Sequence, residues 1–406
     1  MTSGPVAELR GITVWDGSEL CGPSDVSWDG GLITAVRPSS GTAVEGLALI
    51  PGLIDTHVHT MFGPASGAED PVAWRLRATE AERVLHAAAH AVRAFRGGVT
   101  ALRDMAGDAS HMIVSQAFES EMLPGPRLFV CGMVGVTGGH NDSFTPATVR
   151  PRRNVADGPY ACRALVREHA RSGVHGIKVA TGGGVLSSGS SLDWRNYTPE
   201  EIEAIVDEAH SLSLPVAAHA HTEKSIQIAL DAGVDSIEHA SMVTGSQARQ
   251  IASNKLTIAP TLGLIDKIVN GEVSVESEKL RKAMELAAGR ERRLREAAEA
   301  GVSFVLGTDA DGFFTPFDEA MNEVQRMHRI LGLPPEEALR SATSRAAHAV
   351  RKGDVLGHVA EGYAADFVVL KGRPWEDINE LATSNIVAVV SRGVVVVGEL
   401  PAAGSA

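Results

Sequence analysis

Residues 51–59, PGLIDTHVH, decide how the rest of the chain is read. A Pro-Gly pair opens an apolar run, and the run ends in two histidines separated by one small residue. In a strand, residues i and i+2 point to the same side. His57 and His59 would therefore present two imidazoles together across Val58, close enough to grip one cation. Alone, such a pair is equally at home as solvated or buried histidines. Its place at the end of an apolar strand gives it meaning.

Working outward, the same pattern recurs. Near-continuous apolar runs at 53–59, 99–105, 127–133, 176–181, 215–220, 236–240, 257–262 and 303–309 read as strands buried on both faces, the mark of a parallel sheet. Helical periodicity falls between many of them. In residues 201–212, Ile202, Ile205, Val206, Ala209 and Leu212 share one helix face. Thr198 as N-cap, Pro199 in the first turn and Glu201 three residues after the cap announce that helix. Residues 82–95 and the strongly charged 277–300 read as helices too. Strands alternating with helices predict an α/β fold, a closed (β/α)8 TIM barrel. The rival, an open doubly wound sheet, lacks its Gly-rich turn after the first strand.

Polar residues sit where such a barrel keeps its active site, at the C-terminal ends of the strands. Strand one ends in His57 and His59, strand four carries Lys178, strand five ends in His219, strand six in His239 and strand eight in Asp309. An isolated aspartate there is by default a helix N-cap. With histidines at the matching ends, a metal ligand and proton carrier is the better reading of Asp309. Lys178 lies in GIKVAT, inside an apolar strand, where an unpaired ammonium is costly. It is neutral, ion-paired, or converted by carbon dioxide to a carbamate, an anion whose two oxygens can bridge two metals.

Taken together, HxH at strand one, Lys at strand four, His at strands five and six and Asp at strand eight resemble the amidohydrolase superfamily. EGYAADFVVL at 361–370 looks like that superfamily's return into its β-sandwich, so the resemblance spans essentially the whole chain. GGHND at 138–142, GIKVATGGGVLS at 176–187, PVAAHAHT at 215–222 and SIEHA at 236–240 look closest to its Xaa-Pro dipeptidase and carboxypeptidase-like branch. The resemblance implies two divalent metal ions, zinc in first place. His57, His59, Lys178 and Asp309 would hold one, and carboxylated Lys178, His219 and His239 the other. It implies hydrolysis of a peptide-like or N-acyl amino acid amide by a metal-bridging hydroxide, with Asp309 as proton shuttle and His140 contacting substrate and oxyanion. Two departures stand out. His140-Asn141-Asp142 replaces GHGD, and His219-Ala220-His221 replaces an HAY pattern whose tyrosine is thought to hold the substrate carboxylate. His221 is accordingly a candidate for a distinct substrate contact. The loops at 182–194 and 311–317 are expected to shape the pocket, with Phe313 and Phe314 as an apolar wall or as core. The other histidines read as ordinary structural residues.

Fold and ligand pattern leave a xenobiotic amide, urea, carbamate or ester open as substrates of the same site, since specificity lives in loops. A non-catalytic binding protein on this fold would be expected to have lost ligands, and here the set is complete. The strand-four lysine counts against single-metal deamination.

Around the barrel, residues 1–50 and 353–406 are short β-like runs broken by Gly and Pro. They are expected to meet as a small β-sandwich beside a catalytic barrel of residues 51–352. Composition bounds the rest. With 37 basic against 50 acidic residues, the net charge of −13 argues against nucleic acid, whose backbone it would repel. The expected partner is a small-molecule amide or peptide-like substrate. Cys21, Cys131 and Cys162 form no close pair, which suits a reducing, cytoplasmic setting. The opening MTSGPVAELRG has no apolar signal core, and no run is long enough for a membrane span. A homo-oligomer stays open.

Overall fold

The computed structural model describes residues 7–41, 43–65, 70–149 and 152–401. The first six residues, part of the opening read above as lacking a signal core, lie outside it. Strands β1 (Ala7–Trp15), β2 (Leu20–Asp29), β3 (Leu32–Pro38) and β4 (Leu47–Pro51) precede the barrel. The barrel strands are β5 (Leu53–Val58), β6 (Val99–Gly107), β7 (Arg127–Met133), β8 (Gly176–Ala180), β9 (Val216–Ala220), β10 (Ser236–His239), β11 (Thr257–Ala259) and β12 (Ser303–Phe304). After them come β13 (Phe367–Lys371), β14 (Ile386–Ser391) and β15 (Val394–Gly398).

β5 to β12 pair in sequence order, all parallel, in one eight-stranded sheet. The sheet closes through hydrogen bonds between β5 and the chain after β12. Thr56 donates to the Leu306 carbonyl at 2.9 Å, Asp309 to His57 at 2.9 Å and His59 to Ala310 at 2.8 Å. β5, β8, β9 and β10 are buried along their whole length, which explains their lack of alternation.

Three expected boundaries shift, each for an identifiable reason. The eighth strand keeps its ladder only over Ser303–Phe304, because Leu306 turns its N–H to the Ser341 carbonyl at 2.8 Å instead of a neighbouring strand. The seventh ends at Ala259. Pro260 has no N–H to donate, Thr261 is left-handed (φ 45°) and Leu262 already begins a helix, Leu262–Val269. The single helix expected at 277–300 is two, Ser277–Ala287 and Arg290–Glu299, parted at left-handed Gly289. The break lets Leu286 pack beside Leu264 and Ile265 while Leu294 enters the main core. The helix Pro199–Ser211 keeps its predicted capping box, with Thr198 donating its N–H to Glu201 at 2.8 Å. Leu212, counted on its apolar face, is its C-cap and 41% exposed.

The two chain ends form one seven-stranded sheet in the order β15-β14-β13-β4-β1-β2-β3, antiparallel except between β1 and β4. It curls onto itself. Trp28 on β2 meets Phe367 on β13 edge-on at 5.1 Å, although β1 and β4 lie between those strands, and the Trp28 indole donates to Gly393. The two arms of the sheet thus sandwich Leu9, Val14, Leu49 and Val369. Gly52 alone joins β4 to the first barrel strand, and it must be glycine: a Cβ would meet the Thr100 side chain at 2.2 Å. Among the described residues no helix is long and apolar enough to cross a membrane.

Candidate metal centre

Closure of the barrel brings every strand-end residue singled out in the sequence to one cavity of about 380 Å³. His57 and His59 point the same way, rings 5.2 Å apart, and their Nε2 atoms lie 3.5 and 3.1 Å from Asp309 Oδ1. The rings of His219 and His239 are 4.5 Å apart, and His57 lies 5.0 Å from His239. Two donor sets result. His219, His221 and His239 offer atoms within 4.8 Å of one another, and so do His57, His239 and Asp309. His140, from the loop after β7, stacks on His219 at 4.3 Å. Gly184 makes room for it, since a Cβ there would meet the His140 ring at 2.2 Å.

His221, expected as a substrate contact, lines the same cavity and belongs to one donor set. It stacks on His239 at 4.4 Å and lies 2.9 Å from Ser241 Oγ. Phe313 and Phe314 do not line the cavity. Phe314 packs with the cluster of Leu264 and Ile265, and the aromatic wall comes from Phe62 and Phe144 instead.

The protonation states suit metal binding. Burial lowers the His57 ring to about 4 and the His140 and His221 rings to about 3, with His219 and His239 also well below their usual value. Neutral imidazoles offer lone pairs. Burial would raise Asp309, but the His59 hydrogen bond, the largest opposing effect, helps to hold its carboxylate below the ordinary range. Lys178 is buried, and its Nζ has no hydrogen-bond partner among the described residues. Burial lowers its pKa, only partly opposed by Glu238 and Asp309. The neutral form of an amine is the one that reacts with carbon dioxide, burial shifts Lys178 toward that form, and the carbamate would give this orphaned atom its partners. The residues present therefore fit a two-cation site.

Backbone strain gathers here. His239 (φ 73°) and Asp309 (φ 57°) are left-handed at the ends of their strands. Such conformations cost roughly 1–3 kcal/mol and persist where the surroundings over-determine them.

Sequence reasoning missed the layer behind the ligands. Glu238 is fully buried, 2.8 Å from His57 Nδ1, and Arg103 reaches it at 3.2 Å. Burial works against the Glu238 carboxylate, but Arg103 and His57 bring it to about 2. An ionised Glu238 accepts the Nδ1 proton of His57 and leaves Nε2 free toward the cavity. Thr261 Oγ1 does the same kind of work for His239 Nδ1, at 2.6 Å. Asp55 is tied to Thr308 and to the His57 N–H. The signal was present as charges inside apolar strands, the Glu of SIEHA and the Arg-Asp of ALRDM, which must be paired when buried.

A closed parallel barrel whose C-terminal mouth gathers histidines, a carboxylate and a buried lysine is the layout of a barrel hydrolase. The comparisons agree. The model of the amidohydrolase family matches residues 48–396. An ochratoxinase of Aspergillus niger is 30% identical over 366 residues, covering 85% of this chain and 74% of that protein. A Xaa-Pro dipeptidase structure with bound methionine superposes with a TM-score of 0.86 at 28% identity, covering 96% of this chain and 99% of its own. A prolidase complexed with N-methylphosphonate-L-proline gives 0.86 at 29%, covering 97% and 100%. The chain belongs to the amidohydrolase family. It is an enzyme, a hydrolase of carbon–nitrogen bonds.

Proposed function

We propose that the protein is a binuclear metal-dependent amidase that cleaves a peptide-like or N-acyl amino acid bond. The observation that carries this reading is the Lys178 amine, buried without a partner against neutral imidazoles and one carboxylate. As a carbamate it would be the ligand shared by two cations. His57, His59 and Asp309 complete one site, and His219 and His239 the other. When bound, zinc ions supply a Lewis acid for the carbonyl and bring the pKa of a water toward ~7.

The chain's own groups do the rest. Asp309 Oδ1 takes the proton of the attacking water and delivers it to the leaving nitrogen. His140, whose Nδ1 is buried without a partner, donates to the developing oxyanion. Removing one such donor costs roughly 10²–10³ in kcat. Phe62, Phe144, Val185 and Leu264 form apolar walls that exclude water and hold the substrate body. The kinship with a Xaa-Pro dipeptidase, a prolidase and an ochratoxinase supports an amide as the scissile group.

The test pairs metal analysis with hydrolysis of dipeptides, N-acyl amino acids, aryl amides, ureas, carbamates and esters. About two metals per chain with preference for the amides is the expected result. Lys178→Ala should lose metal and activity together, with partial rescue by a short carboxylic acid. Full two-metal occupancy in that variant would refute the bridging role.

A further inference from the structure

The cavity does not end at the histidines. A ladder of ring contacts leads away from them: His219 stacks on His140 at 4.3 Å, His140 meets Phe144 at 5.4 Å, Phe144 meets Phe62 at 5.6 Å, and the Arg75 guanidinium lies 5.4 Å from the centre of the Phe62 ring. Four arginines line this outer part of the cavity. Two are occupied, Arg152 by Asp142 and Arg153 by Glu80. Arg75 and Arg83 make no ion pair among the described residues, and Arg83 Nε is buried with no hydrogen-bond partner. The acidic group that acts on both, Asp108, makes an ion pair with neither, and its Oδ1 is engaged elsewhere. It accepts the Ser110 N–H at 2.9 Å and sits 2.9 Å from His111 Nδ1. Burial, and then the like charge of Arg83, lower the Arg75 guanidinium to about 10.

Two cations lining one cavity repel, and leaving a partly buried guanidinium unpaired is costly. A chain of net charge −13 has carboxylates in excess, yet among the described residues none forms an ion pair with either arginine. Guanidinium forks match planar two-oxygen anions, which they bind with charge-assisted and often bidentate hydrogen bonds.

We infer that Arg75 and Arg83 form an anion subsite for a carboxylate of the substrate, carried beyond an apolar or aromatic group that lies along Phe62 and Phe144. This inference rests on the amidase reading and narrows it to acidic amides. It also offers a carboxylate grip where His221 stands in place of the branch's tyrosine. The pair acts on specificity and touches no bond that breaks.

The experiment uses the metal-loaded enzyme and two matched pairs of N-aroyl amides. One pair carries a carboxylate or a carboxamide on the aroyl ring, the other on the amine portion. Wild type is expected to favour the carboxylate in at least one pair by roughly ten- to a hundredfold in kcat/KM, the range of a hydrogen bond to a charged group. Arg75→Gln, Arg83→Gln and the double variant should bring that ratio toward one through KM, with Arg75→Lys restoring part of it. Equal cleavage within both pairs by wild type, or a preference intact in the double variant, overturns the inference. Calorimetry with the corresponding benzylamine analogues, which lack a scissile carbonyl, separates it from the amidase reading. If no amide is cleaved but carboxylate-dependent binding is lost in the arginine variants, the subsite stands and the amidase assignment falls. If neither cleavage nor carboxylate-dependent binding is seen, the subsite falls as well.

Discussion

Half-buried Asp309 and fully buried Glu238 are both carboxylates beside His57, yet their surroundings set them to different work. Asp309 faces the cavity with one oxygen between His57 and His59, where it can pass a proton. Asp309→Asn should lower kcat by roughly 10²–10⁴, the contribution of a positioned acid–base group, while most metal stays bound. Near-normal turnover would remove it as the proton carrier. Glu238 faces away, held by Arg103, and orients His57 from behind. Glu238→Gln should weaken metal retention by roughly 10- to 100-fold in a chelator competition, as loss of a carboxylate behind a ligating imidazole does elsewhere. Unchanged retention would leave Glu238 as an ion-pair partner and nothing more. Glu238 was legible only as an anomaly, a charge in a strand with no solvent-facing side. Its partner Arg103 is 135 residues distant and no local pattern names it.

At the scale of elements, the site depends on how helices are anchored. The helix Leu262–Val269 follows Thr261, which orients His239, and has no side-chain cap of its own at that N-terminus. Glu323, on the helix Ala320–Leu331, serves instead, accepting the N–H groups of Leu262 and Gly263. Burial raises the Glu323 carboxyl to about 7 despite Arg326. Its folded pKa thus lies above the unfolded value, so the folded state holds a proton the unfolded state has released. The stability that Glu323 contributes should fall as pH rises between about 4.5 and 7, by up to ~1.4 kcal/mol per pH unit. The buried histidines, neutral in the folded state, push the urea midpoint the opposite way in both proteins, so the Glu323 contribution is read as the difference between wild type and Glu323→Gln, which should shrink between pH 5 and pH 7.5. Parallel profiles would show that Glu323 does not titrate differently on folding. Elements were the best-read scale in the sequence, with eight strands and the capped helix at Thr198 in place. Of the boundaries that moved, Ala259 is set by Pro260 next in the chain, Phe304 by a hydrogen bond to distant Ser341, and Gly289 by a second packing surface.

For the whole molecule, the candidate ligands come from β5, β8, β9, β10 and the segment after β12, so bound cations would cross-link much of the barrel circumference. Ligands that bind the folded state alone stabilise it by mass action, by roughly 4 kcal/mol at a thousandfold excess over Kd. Chelation should therefore lower Tm by several degrees, and added zinc should restore it. A Tm indifferent to chelator would place the metals elsewhere or nowhere. The curled terminal sheet lies apart from this mouth, joined to the barrel through Gly52, which a side chain would jam against Thr100.

The sequence alone determined the barrel, because burial on both faces imprints an unbroken apolar run and a strand end is marked by the polar residue that stops it. It also named the histidines and the aspartate, which follow such runs, and the lysine, a charge inside one. Tertiary structure decided what surrounds them: the carboxylates behind the imidazoles, the aromatic wall of Phe62 and Phe144 in place of Phe313 and Phe314, and the paired arginines beyond. Those contacts join residues that no period connects. They exist only once the closed sheet has set its loops side by side.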